Sequence, residues 1–271
     1  MSASAIDAPI GLFDSGFGGL TVCRAVTDLL PGEDIIYLGD TARAPYGPRP
    51  IAQVREFSLA GFDWLVDQGV KALVVACNSA SSSALRDARE RYDLPIIDVI
   101  LPAARKAAFT TRNGRVGVIS TAATANSRSY FDALAASPVQ LFSQICPRFV
   151  EFVEAGRTTD AEVLAVAQEY LEPLKQADID TLILGCTHYP LLSGVISYVM
   201  DEDVMLVSSA DECARATFAV LQRLGLLRES DRHGQLRFCT TGDPASFEGL
   251  GAHLMGGFVR DVEQVELTVT A

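Results

Sequence analysis

Short apolar runs, each ended by small or polar residues, recur at residues 10–13, 34–39, 72–76, 95–99, 115–120, 139–142, 181–184, 204–207 and 236–240. Runs of this length, rich in Val, Ile and Leu, predict strands buried on both faces, as in parallel sheets. Between them, helical patterns cover residues 20–30, 51–68, 81–91, 160–175, 210–226 and 243–254, and a further helix starts near Pro190. A proline is well placed in a first helical turn. Trp64 falls on the core face of its helix. Residues 1–9 read as a disordered lead-in, and residues 230–234 as a polar loop. Strands alternating with helices predict an α/β fold with mainly parallel sheets. Such sheets bind ligands just beyond the carboxyl ends of their strands, so the residues after each run carry the chemistry.

Two of those strand ends repeat one another. Residues 70–79, Val-Lys-Ala-Leu-Val-Val-Ala-Cys-Asn-Ser, align without a gap on residues 179–188, Ile-Asp-Thr-Leu-Ile-Leu-Gly-Cys-Thr-His, at an offset of 109. Residues 10–15 match residues 116–121 in the same way at an offset of 106. Nearly equal offsets predict an internal duplication. The expected product is two similar α/β halves related by a pseudo-two-fold axis, with a cleft that receives one cysteine from each. The first domain is expected over 1–101 plus 210–271, the second over 102–209. The tail is expected to add one strand and two helices to the first.

Composition narrows the function classes. The chain has 271 residues, 49% hydrophobic and 21% charged, as expected of a soluble globular protein. Its net charge is −12, and no dense Lys/Arg cluster interrupts it, which argues against nucleic acid as a partner. No apolar run is long enough to span a membrane, and the first residues lack the pattern of a signal peptide, so a cytoplasmic location is expected. Cysteines stand at 23, 77, 146, 186, 213 and 239. None forms a Cys-x-x-Cys pair and their spacing fits no common zinc site, so free thiols and no metal are expected.

The turn Asp14-Ser15-Gly16-Phe17-Gly18-Gly19 joins a strand to a helix. Its glycines fit neither the phosphate loop nor the dinucleotide spacing. It reads as a cradle for something smaller than a nucleotide, or as a plain strand-to-helix turn. The loop 40–47, with Asp, Thr, Arg and Tyr, reads as a binding loop or simply as a loop. Two cysteines facing one carbon suit proton transfer. One thiolate removes a proton, and the opposite thiol returns one to the other face. A thiol pKa near 8.5 is within tuning range of neutral pH. Asp14 beside Cys77, and His188 or Glu154 beside Cys186, would manage the protons. Asn78, Ser79 and Thr187 would supply donors to the developing carbanion. Cys186 with His188 could instead form the nucleophile and base of a thiol hydrolase or transferase, and a two-lobed binding module is a third reading. Cys23, Cys146, Cys213 and Cys239 read as inert core residues. His233 and His253 read as surface positions, and Arg43 and Arg148 as structural or surface charges.

Four blocks, in order, carry a resemblance: Phe13-Asp14-Ser15-Gly16-x-Gly-Gly19-Leu20, Gly39-Asp40-Thr41-x-x-x-Pro45-Tyr46-Gly47, Ala76-Cys77-Asn78-Ser79-Ala80-Ser81, and Leu184-Gly185-Cys186-Thr187-His188-Tyr189-Pro190-Leu191. Together they resemble the glutamate racemase family, within the aspartate/glutamate racemase superfamily. The resemblance implies two Rossmann/flavodoxin-like domains and interconversion of L- and D-glutamate without a cofactor, supplying D-glutamate for peptidoglycan and so for cell shape. It implies Cys77 and Cys186 as the two bases, assisted by Asp14, Glu154 and His188. It implies that Asp14, Ser15, Pro45, Tyr46, Gly47, Asn78, Ser79, Thr121, Thr187 and His188 hold glutamate. A homodimer, and Cys186 acting on the L and Cys77 on the D enantiomer, also come from the resemblance alone. Two positions depart from the pattern. Ser79 stands where the family more often has Thr, and Glu151 where it tends to have Pro, which leaves Glu151 and Glu154 as alternatives. Aspartate racemases tend to carry Glu at the position of His188. Racemisation of aspartate or another acidic amino acid is the alternative activity.

Overall fold

The computed structural model describes residues 3–229 and 232–268. Two sheets organise it. The first contains β1 (Ile10–Asp14), β2 (Ile35–Gly39), β3 (Ala72–Val75), β4 (Ile96–Asp98), β9 (Leu236–Thr240) and β10 (Glu263–Gln264), in the order β10-β9-β2-β1-β3-β4. The second contains β5 (Arg115–Ser120), β6 (Gln140–Ile145), β7 (Thr181–Gly185) and β8 (Met205–Ser208), in the order β6-β5-β7-β8. Every pairing is parallel. The order 2-1-3-4 of the first four strands recurs as 6-5-7-8. The sequence repeat is thus a repeat of topology, with β3 and β7 at equivalent positions.

Period-two alternation along these strands feeds separate apolar layers. In β3, Ala72 and Val74 face a central core, while Leu73 and Val75 face an outer one with Phe62, Leu65 and Ala84. In β7, Ile183 faces the central core, and Leu182 and Leu184 face a second outer layer with Val163, Leu171 and Ile196. Helices fill the layers accordingly. Helices α3 (Ile51–Asp67) and α4 (Asn78–Arg91) cover the first sheet. Helices α8 (Arg148–Glu154), α9 (Ala161–Gln176) and α10 (Ser193–Met200) cover the second. Helices α2 (Leu20–Leu29), α5 (Ile100–Thr110) and α11 (Ser209–Leu224) lie between the sheets and contribute to one continuous core. The two halves therefore share their largest apolar cluster, which fixes one strand end against the other.

Several expectations from the pattern need correction. Helix α1 (Ala3–Ile6) replaces the disordered lead-in, and the Lys71 ammonium donates to the Ile6 carbonyl at 2.7 Å. Residues 1–2 lie outside the described residues, as do the first two of the polar loop 230–234. The tail contributes two strands rather than one, β9 and β10, and its helices are α11 and α12 (Pro244–Met255). The segment from Pro190 is first a 3-10 turn, Tyr189–Leu192, and becomes helical at Ser193. The pattern also missed α5, α6 (Ala122–Ser127) and α7 (Ser129–Leu134). Helices α6 and α7 have six residues each, too short to show a helical period. Trp64 does lie on the core face of α3, half-buried against the outer layer, with the Arg237 guanidinium 5.7 Å from its ring centre. Among the described residues, no helix is long and apolar enough to cross a membrane.

Candidate active site

Beyond the carboxyl ends of β1, β3, β5 and β7 lies a cavity of about 190 Å³. That is smaller than the roughly 300–1,000 Å³ of pockets for drug-sized ligands, and suits a small metabolite. Ser15 and Gly16 enter from the β1 turn; Pro45, Tyr46 and Gly47 from the loop after β2; and Cys77, Asn78 and Ser79 from the β3 end. Thr121 comes from the end of β5, where it caps α6, Glu151 and Glu154 from α8, and Cys186, Thr187 and His188 from the β7 end. Ala44, Pro48, Ala122, Pro147 and Val150 complete the wall and carry no chemistry that a sequence could flag. Asp14 is the one predicted site residue outside the lining. It is buried behind Ser15, where Oδ2 accepts from the Gly16 N–H at 2.8 Å. Burial pushes its carboxyl upward, against the pull of the His188 charge and of backbone N–H groups.

Cys77 is the N-cap of α4, and its Sγ accepts from the Ala80 N–H at 3.4 Å and lies 3.6 Å from Ser15 Oγ. A helix N-terminus usually acidifies a thiol. Here burial wins, reinforced by the Asp14 charge, and the Cys77 thiol is pushed up to about 12. Burial and the Asp14 charge thus both favour the neutral form of Cys77. Cys186 has different company. Its Sγ lies 3.7 Å from His188 Nδ1, and His188 Nε2 lies 3.1 Å from Glu154 Oε1. Burial alone would lower the His188 imidazole. Its hydrogen bonds to Cys186 and Glu154, and their charges, outweigh that and push it up to about 10. The Glu154 side chain is 37% exposed and that of His188 8%, so the chain Glu154–His188–Cys186 leads from solvent to a buried thiol. Glu151 lines the cavity and is exposed; the contact with His188 belongs to Glu154.

The glycine turn has a role that spacing alone did not reveal. A Cβ on Gly18 would stand 2.4 Å from His188 Nδ1, and one on Gly19 would stand 2.5 Å from Asp14 Cβ. Gly18 lets the β7 loop approach the β1 turn, and Gly19 lets the turn fold back on Asp14. Thr21 then ties the halves, since its Oγ1 is 2.9 Å from the Thr187 carbonyl. Ser79 Oγ and Thr121 Oγ1, 3.1 Å apart, make a second tie. A third is the Gly47 carbonyl, which accepts from the Ala123 N–H at 2.9 Å. The loop carrying Tyr46 is held by Asp40, fully buried, which accepts from the Tyr46 hydroxyl, from Arg43 Nε and from Thr241 Oγ1. Arg43 is thus structural, and Arg148 pairs with Glu162 on the surface. Cys23, Cys146, Cys213 and Cys239 are buried and free.

A duplicated parallel α/β fold, with one cysteine from each repeat at a shared small cavity, defines a two-lobed protein with a paired-thiol site. Residues 11–217 match the family described as Asp/Glu/Hydantoin racemase. A protein named glutamate racemase from Parafrankia sp. (strain EAN1pec) is 59% identical over 251 residues, 92% of this chain and 91% of its own. The crystal structure of a glutamate racemase isoform from Bacillus anthracis superposes with a TM-score of 0.92 at 41% identity, covering 97% of this chain and 99% of that one. A glutamate racemase from Francisella tularensis, solved in complex with D-glutamate, gives a TM-score of 0.90 at 35% identity, with 96% and 98% covered. The chain belongs to the Asp/Glu/Hydantoin racemase family.

Proposed function

We propose that this chain interconverts L- and D-glutamate by proton transfer between two cysteines. The observation that carries the reading is the presence of Cys77 and Cys186, from equivalent strand ends, in one cavity. The thiolate of one removes the Cα proton. The bond's electron pair moves into the adjacent carboxylate, which becomes an enediolate. The other thiol gives its proton to the opposite face of Cα, and the electron pair returns to form the new C–H bond. Each turnover leaves the first cysteine protonated and the second deprotonated, so the pair is reset by the reverse turnover or through solvent. Glu154 and His188 offer that route for Cys186. Cys77, held neutral by burial and Asp14, is the resting acid. Hydroxyl and amide groups of Ser15, Asn78, Ser79, Thr121 and Thr187 surround the cavity and suit the two carboxylates and the ammonium of the substrate.

Glutamate is preferred over aspartate because the relatives named above are glutamate racemases and one was solved with D-glutamate. The discriminating experiment follows circular dichroism during turnover of each enantiomer of glutamate and aspartate. Faster aspartate turnover would overturn the assignment. The same reading includes a cytoplasmic homodimer that supplies D-glutamate for peptidoglycan precursors, checked by rescue of a D-glutamate auxotroph and by sedimentation. It also divides the chain into 1–101 with 210–271, and 102–209, a division supported by sheet membership.

A further inference from the structure

Tyr130, on α7 of the second half, touches the loops of both cysteines. Its ring packs on Gly185, the residue before Cys186, where an added Cβ would meet Tyr130 Cε2 at 3.1 Å. Its hydroxyl lies 2.9 Å from the Asn78 side-chain amide, next to Cys77. Tyr130 is 3% exposed and Asn78 3%. With Asn78 Nδ2 donating to Tyr130 Oη, Asn78 Oδ1 is buried and has no partner, and Oη has no acceptor for its own proton among the described residues. A buried polar atom left unpaired is destabilising. The two ends of an amide have the same shape, so proton accounting decides its orientation. Turned over, Oδ1 accepts from the Tyr130 hydroxyl, and the NH2 group takes the buried position that has no protein partner, on a residue that lines the cavity, where a bound ligand can accept from it.

We propose that Tyr130 is a positioning residue for the reaction: it donates to Asn78 Oδ1 and so aims the Asn78 NH2 at the substrate's α-carboxylate. That carboxylate gains charge as the Cα proton leaves, and donors fixed beforehand at such an oxygen stabilise the transition state most. Burial and the Asp98 charge keep the phenol protonated throughout the working pH range. The Gly185 contact makes the same ring a spacer between the two cysteine loops.

This inference rests on the racemase reading, and Tyr130→Phe tests it because the ring stays while the hydroxyl goes. Glutamate kcat/KM is expected to fall about 10-fold or more, mainly in kcat, with near-ultraviolet circular dichroism unchanged. In an Asn78→Ala background the same change is expected to add less than about 2-fold, because Tyr130 acts through Asn78. Proton–nitrogen NMR of the Asn78 side chain supplies a readout independent of turnover. Its NH2 signals are expected to be sharp in the parent protein, to shift on adding D-glutamate, and to broaden in Tyr130→Phe. Parent-like kinetics, additive losses in the double variant, or unchanged NH2 signals in Tyr130→Phe would each overturn the assignment. A parent protein inactive on glutamate would instead defeat the racemase reading, and the NMR comparison would still decide whether Tyr130 orients Asn78.

Discussion

Glu154 Oε1 stands 3.1 Å from His188 Nε2, across 34 residues of chain, and so turns the other ring nitrogen toward Cys186. Glu154→Gln keeps the shape and removes the charge. A charge-assisted hydrogen bond is worth about 1.5–3 kcal/mol, so kcat is expected to fall between about 10- and 100-fold. The basic limb of the pH–rate profile is expected to move to lower pH as His188 loses its partner. Glu151→Gln, at the exposed rim, is expected to change kcat less than about 3-fold. Equal losses in the two variants would refute the distinction.

Stability is expected to fall as pH rises above neutrality. His188 is pushed up from 6.5 to about 10 in the folded protein. Between those values the folded state holds a proton that the unfolded chain has released, so each step up in pH favours unfolding. Below the lower value the contribution is fully present. Cys77, pushed up from 9.0 to about 12, acts in the same direction at higher pH. Urea unfolding from pH 6 to pH 10 should show this slope, and His188→Gln should flatten it. An unchanged slope in the variant would assign the effect elsewhere.

Each cysteine is expected to be indispensable, in a distinguishable way. Enantiomers have equal free energies, so kcat/KM must be equal in the two directions for any variant. Cys77→Ala and Cys186→Ala should each lose about 10³-fold or more in racemisation. In deuterium oxide, each should still exchange the Cα hydrogen of one enantiomer at most, and the two variants should choose opposite enantiomers. Survival of racemisation in Cys77→Ala would point to a lone Cys–His nucleophile.

Thr21 has one hydroxyl proton and two carbonyls within 2.9 Å, those of Gly18 and Thr187. The bond to Thr187 joins residues 166 apart and holds the loop of Cys186 against the first half. Thr21→Val is expected to lower kcat/KM about 5- to 10-fold while costing no more than about 1.5 kcal/mol of stability. Thr21→Ser should restore most of the activity. A valine variant with full activity would make the contact incidental.

Far from the cavity, Lys71 and Glu33 form an ion pair with both side chains 2% exposed. Lys71 also donates to the Ile6 and Leu226 carbonyls, and Glu33 accepts from the Arg228 N–H. Lys71→Ala strands a buried carboxylate and is expected to cost about 3–5 kcal/mol. Lys71→Met combined with Glu33→Leu should recover much of that. Denaturant midpoints of the two variants give the comparison, and equal midpoints would contradict it.

Sequence by itself determined the strand ends. Runs such as 72–76 and 181–184 are short, apolar and followed by a polar turn, and their repetition exposed both cysteines before any contact was known. Period and turn chemistry are local properties, so a chain displays them directly. The repeated 2-1-3-4 strand order then follows from the duplicated segments. Local pattern could not rank Glu151 against Glu154, because both lie on α8 and only the position of His188 separates them. Nor could it find Thr21 or Tyr130. Their partners lie 166 and 52 residues away, and a lone Thr or Tyr has no spacing signature. Those assignments needed the shared core, which presses two strand ends together and decides which side chains meet.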